Sequence, residues 1–167
     1  MKKQFENKLS FFRHGCALYC NDIKDWLKRN TTPETECVTI GKVKNATQEL
    51  HPLFFELIDE IIKACPKAKI ILQTDGLFLN ILEKLVYDYE EKVEIHILIK
   101  GYSEETYTLA TGRHDFNMIV ENLRTLKAFC EYNRLNPAIK IYSPFFGDIE
   151  QACFVKQLEQ FGSFTYL

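Results

Sequence analysis

Short β-prone runs alternate with amphipathic helical stretches along nearly the whole chain, and this alternation restricts the fold more than any other feature. The β-prone runs fall near residues 8–12, 37–43, 69–75, 94–100 and 138–143, with a sixth at 164–167. Between them, apolar residues recur at helical spacing: Ile23, Trp26 and Leu27; Leu53, Phe54, Leu57, Ile58, Ile61 and Ile62; Leu82, Leu85 and Val86; Phe116, Ile119, Val120, Leu123, Leu126 and Phe129; Phe154, Val155, Leu158 and Phe161. Asn21 or Asp22, Asp115 and Asp148 are the expected helix caps, and the residues from Gly101 to the Asp115 cap read as a polar turn. Strand, helix, strand in this order needs crossover connections, and hence a mostly parallel sheet with helices outside it. The fold class is α/β. A closed eight-stranded barrel takes about 250 residues, so six units in 167 residues predict an open doubly wound sheet or a partial barrel; periodicity leaves both open.

The chain has the length of one domain, and no Gly/Ser/Pro-rich linker divides it, so residues 1–167 are expected to form one unit preceded by a polar arm over 1–7. With 21 Lys and Arg against 23 Asp and Glu, no overall cationic field exists to hold a phosphate backbone, and nucleic acid is not an expected partner. Apolar runs are strand-sized, far short of the roughly 20 residues of a membrane helix, and the N-terminus lacks an apolar signal core. A cytoplasmic protein is expected. Its six cysteines, 16, 20, 37, 65, 130 and 153, are then read as thiols, ligands or core residues before disulfides.

Several motifs carry a resemblance. Residues 69–79, Lys-Ile-Ile-Leu-Gln-Thr-Asp-Gly-Leu-Phe-Leu, resemble the TNG-x-L-L strand end of radical S-adenosylmethionine (radical SAM) enzymes, with Asp75 where that pattern has Asn. Ile97 to Tyr107, then Thr111-Gly112 and the helix through Phe116 and Asn122-Leu123, are similar to the next unit of that superfamily. His51-Pro52-Leu53-Phe54-Phe55-Glu56-Leu57-Ile58 is similar to its HP-x-F-x-E-L-I helix opening, and Cys16-Ala17-Leu18-Tyr19-Cys20 follows the first strand, where the family carries its cluster cysteines. The likeness runs over roughly 8–146 in the right order.

The resemblance implies a six-unit partial (β/α) barrel, and it is this, not the periodicity, that selects a barrel over an open sheet. It also implies a 4Fe-4S cluster with Cys16 and Cys20 as metal ligands, and S-adenosylmethionine bound to the open iron and cleaved to a radical that attacks a small-molecule or peptide substrate. Soft thiolates suit such clusters, and three protein ligands leave one position vacant. Thr74, Asp75 and Lys100, at the C-terminal ends of the third and fourth strands, are the expected cofactor-lining residues, since βα loops build active sites at that end. Two departures stand out. The family's C-x3-C-x2-C loop reads Cys16-x3-Cys20-x2-Ile23 here, and its Gly-Gly-Glu-Pro stretch aligns with Asn45-Ala46-Thr47-Gln48.

These departures support a second reading, a non-catalytic scaffold or partner subunit that keeps the barrel. In the first reading, His14, Cys37 or a second chain supplies the third ligand. A third reading starts from Arg13-His14-Gly15, which is similar to the histidine phosphatase superfamily, where that His attacks phosphate and the Arg binds its oxygens. Cys65, Cys130 and Cys153 are expected to pack in the core, and His96, alternating with Ile95 and Ile97, is expected to be a satisfied core histidine.

Overall fold

The computed structural model describes residues 7–9, 20–41, 54–144, 147 and 149–166. The strands are β1 (Asn7–Leu9), β2 (Cys37–Ile40), β3 (Lys69–Thr74), β4 (Val93–Leu98), β5 (Ala138–Ser143) and β6 (Ser163–Tyr166). The helices are α1 (Cys20–Asn30), α2 (Phe54–Ala64), α3 (Leu79–Tyr89), α4 (Glu104–Thr111), α5 (Phe116–Asn133) and α6 (Ile149–Leu158). The strands form one sheet in the order β1-β2-β3-β4-β5-β6, and every neighbouring pair is parallel. Sequential order without a reversal means that each right-handed crossover returns to the same side, so the described helices collect on one face of the sheet. A doubly wound sheet would reverse at a switch point and carry helices on both faces. The fold is therefore a partial (β/α)6 barrel with outer helices.

The alternation of side chains along a strand assigns the two faces. Val38 and Ile40, Ile70 and Leu72, Ile95 and Ile97, and Ile141 are in register and at most 3% exposed, and they form one cluster with the helices. From α2 this cluster takes Phe54, Leu57, Ile58 and Ile61; from α3, Leu79, Leu82, Leu85 and Val86; from α5, Ile119, Leu123 and Leu126. Within each helix they recur at i+3 and i+4, so one stripe of each helix is buried, and each fully buried side chain of this size contributes about 1.5–3 kcal/mol. The intervening strand residues, Thr39, Ile71, Gln73, Glu94, His96, Leu98, Lys140, Tyr142 and Thr165, face the barrel interior.

Several boundaries differ from those expected. Helix α1 opens at Cys20, which places Asn21 and Asp22 inside the helix and not at its cap. Strand β4 starts one residue early and ends at Leu98, so Ile99 and Lys100 lie beyond it. The expected turn after Gly101 contains helix α4. Asp115 does precede α5, but its side chain makes no cap bond, because its Oδ2 is taken by Arg113 Nε at 2.6 Å. Cys65 and Cys130 are buried as expected, whereas Cys153 is exposed on α6. The core expectation fails there because Cys153 adjoins the buried Phe154 on the opposite side of the α6 stripe. Residues 10–12 and 42–43 of the expected strands, the His51–Leu53 helix opening and the Asp148 cap lie outside the described residues.

Candidate functional site

The interior face of the sheet carries polar side chains at its centre. Gln73 on β3, His96 on β4 and Lys140 on β5 are Cα partners in consecutive strand pairs, so they form one row across the sheet. Glu94 lies two residues before His96, and Tyr142 two residues after Lys140, on the same face. Glu94 Oε1 accepts from His96 Nε2 at 2.5 Å and from Lys140 Nζ at 2.5 Å. The tilted Tyr142 ring lies 5.2 Å from the His96 ring. His96 is thus held at one nitrogen by a carboxylate and on one side by an aromatic ring. Both Glu94 and His96 are largely withdrawn from solvent, at 14% and 13% side-chain exposure, while Lys140 keeps 43%.

Burial pushes the Glu94 carboxyl up, but the hydrogen bonds from His96 and Lys140 outweigh it and hold the group below its ordinary range. The same bond to Glu94 holds the Lys140 ammonium above its usual value. The carboxylate and ammonium are both charged near neutrality. An interior wall that only filled space would be lined by branched apolar residues, and this one places charge and hydrogen-bonding capacity there.

The residues expected to line a cofactor lie at the C-terminal end of the sheet. Thr74 ends β3 on the helix-facing side, 2% exposed, and its Oγ1 accepts from the Gly76 amide at 3.1 Å. Asp75 follows it. Its Oδ1 accepts from the Leu77 amide at 3.3 Å, and its Oδ2 meets Arg113 Nη1 at 3.4 Å. Burial pushes the Asp75 carboxyl up, against the opposing pull of the Leu77 amide and the Arg113 guanidinium. Asn122, of the Asn122-Leu123 pair in the resemblance, donates from Nδ2 to Gly76 O and Leu77 O at 3.0 and 2.7 Å and ties α5 to this turn. Lys100 stands two residues past β4, half-buried, with no ion pair among the described residues. Thr74 and Asp75 adjoin in one turn; the row through His96 lies deeper in the sheet.

The cluster ligands can be tested against this frame. Cys16 lies outside the described residues, and Cys20 opens α1 without a described side chain. Ile23, at the position of the family's third thiolate, lies within α1. Cys37 begins β2, Cys65 follows α2 just before β3, and Cys130 lies near the C-terminal end of α5, all toward the N-terminal end of the strands. Burial, reinforced by Glu90, Glu83 and Glu131, pushes the Cys130 thiol up to about 11, which keeps it protonated and a poor ligand. Cys153 is on the outer surface of α6. A third thiolate beside Cys20 therefore has no source among the described residues, and no group of three His, Cys, Asp or Glu residues there could hold a metal ion. The described residues alone supply no third thiolate, and Cys16 and His14 lie outside them.

Arg13 and His14 lie outside the described residues. The two histidines that could complement them occupy different places: His96 is in mid-strand on the interior face, and His114 is exposed beside Thr108 Oγ1, 3.2 Å away, on the turn between α4 and α5. His96 is satisfied, as expected, but by a charged partner on the interior face. Gln73, Glu94, Lys140 and Tyr142 were not singled out from sequence. The signal that marks them is a polar residue beside a buried apolar one in a short strand, at positions that the register of three strands brings together.

No protein-family model matches the chain, and no curated protein matches it by sequence. Among solved structures it is similar to Streptococcus suis SuiB bound to S-adenosylmethionine, with 14% identity and a TM-score of 0.44 over 98% of this chain and 48% of that one. The chain spans about half the length of that protein. At this score the fold rests on the sheet order and not on the likeness. Among the described residues, no helix is long and apolar enough to cross a membrane.

Proposed function

We propose that the chain is a radical-SAM-like partial barrel that binds a small polar molecule against its interior face, and that it serves as a binding or partner subunit without building the cluster itself. The observation that carries this reading is the Gln73-His96-Lys140 row with Glu94 behind it, polar where a purely structural barrel is apolar. Ile23 in place of a third thiolate and Asn45-Ala46-Thr47-Gln48 in place of the family's Gly-Gly-Glu-Pro support the non-catalytic side of the proposal. Asp75 and Lys100, just past the ends of β3 and β4, belong to it as the rim through which a ligand reaches the interior, and Thr74, buried on the helix-facing side, holds the turn that carries Asp75. S-adenosylmethionine, bound in the SuiB structure, is the first molecule to try. Weak binding is expected, because Thr47 offers a hydroxyl where the family's Glu offers a carboxylate to the ammonium.

The test is anaerobic reconstitution with iron and sulfide, followed by iron analysis and visible absorbance. The expected result is iron well short of the about four atoms per chain of a 4Fe-4S cluster, with no difference between the parent and its Cys16→Ser and Cys20→Ser variants. A full complement of iron with thiolate-to-iron absorbance, lost in both variants and kept in Cys130→Ser, would restore the radical-enzyme reading.

A further inference from the structure

We propose that Lys140, Gln73 and Tyr142 form an anion-binding site around His96 on the interior wall, for a small molecule bearing a phosphate or carboxylate, with Glu94 as its positioning residue. This deepens the binding reading above and rests on it. An ammonium has three N–H groups; Lys140 uses one on Glu94 and keeps the rest on a side chain that is 43% exposed. The Gln73 amide and the Tyr142 hydroxyl have no hydrogen bond among the described residues. The Thr165 hydroxyl is next in register to Tyr142. The one full negative charge, Glu94, already has two partners on Oε1, and each of the remaining groups can turn an N–H or O–H toward an anion.

Position sets the size of the ligand. Neighbouring strands lie about 4.8 Å apart, so Gln73 and Lys140, on either side of β4, span roughly 10 Å. That length suits a molecule of several heavy atoms with an anionic group at the Lys140 end. Glu94 acts through its neighbours. By accepting from Nε2 it fixes the His96 tautomer, and by binding Lys140 it holds the ammonium over the row.

The experiment is calorimetry on the full chain with inorganic phosphate, with malonate, and with ribose as a neutral control. Phosphate or malonate should bind and ribose should not; phosphate alone identifies a phosphorylated ligand, and malonate alone a carboxylate. Lys140→Met should weaken binding by about tenfold to a hundredfold, the loss of one charge-assisted hydrogen bond, while Lys140→Arg restores most of it. Nuclear magnetic resonance of the parent protein provides a readout that needs no variant: phosphate or malonate should shift the His96 and Lys140 side-chain signals. The His96 Nε2–H tautomer should dominate in the parent and become mixed in Glu94→Gln, which reads the hold of Glu94 on the ring. Anion binding unchanged in a folded Lys140→Met, or shifts confined to other residues, would overturn the proposal. Binding of ribose or S-adenosylmethionine at Gln73 and Tyr142 without anion binding would overturn it while sparing the broader reading, and no binding of any of the probes at this face would overturn both.

Discussion

Asp75 is a residue where burial and charge oppose each other. Burial holds its carboxyl above the ordinary 3.8 despite Arg113. A carboxyl with a folded pKa above its unfolded one favours the fold when protonated, and that contribution is lost as pH rises through the folded value. At pH 7 the ionised group therefore carries a net cost. Asn in its place keeps an oxygen for the Leu77 amide, and Arg113 keeps Asp115. Asp75→Asn should raise Tm at pH 7 by up to about 2–4 °C, the shift that 1 kcal/mol produces in a domain of this size, and the gain should shrink as pH falls toward 3.8 and below. A lower Tm at pH 7 would show that the pair with Arg113 outweighs burial. This residue was legible as a strand-end turn, and its Asn counterpart in the resemblance was legible too. Its guanidinium partner was not, because Arg113 lies 38 residues away and only the α4–α5 turn brings it close.

Helix α4 shows how an element can exist with little hydrophobic signal. Only Tyr107 among its residues is buried, so periodicity predicts a turn. Its ends hold it instead. Ser103 Oγ accepts from the Thr106 amide at 3.2 Å, Thr106 Oγ1 accepts from the Ser103 amide at 3.0 Å, and Gly112, at φ 72°, closes the C-terminus by donating to Thr108 O at 2.7 Å. The entry is equally specific: a Cβ on Gly101 would lie 2.4 Å from Tyr107 N and 2.6 Å from its Cα, both backbone atoms that cannot move aside alone. Gly101→Ala should cost about 3 kcal/mol, the upper part of the usual overpacking range, whereas Gly112→Ala, with open space around it, should cost about 1 kcal/mol through its backbone angle alone. Urea denaturation of the two variants tests the order; a larger loss at Gly112 would contradict it. The Ser-x-x-Thr spacing and the two glycines were in the sequence, but the close approach at Gly101 depends on how the loop after β4 folds back onto the first turn of α4.

Across the whole molecule, stability should grade from the middle of the sheet to its edges. Ile70, Ile95 and Ile97 on β3 and β4 are 0% exposed and have a strand on either side, while β6 pairs only with β5 and is mostly exposed. Hydrogen exchange should be slowest at the β3 and β4 amides, which open only with the global transition, and markedly faster in β6. Equal protection in β6 would mean that its free edge is covered. The β-α alternation, and with it the α/β class and the parallel sheet, followed from sequence alone, because hydrophobic period is a local property that each segment displays by itself. Periodicity left the barrel and the open sheet both open; the motif resemblance pointed to the barrel, and strand order in the tertiary structure decided it, together with which strand face meets the helices, since order and register depend on pairing between segments far apart in the chain. The same reason separates the two sets of candidate residues. Thr74, Asp75 and Lys100 could be read from strand ends, whereas Gln73, Glu94, His96, Lys140 and Tyr142 become a site only when β3, β4 and β5 align and set their alternate positions side by side.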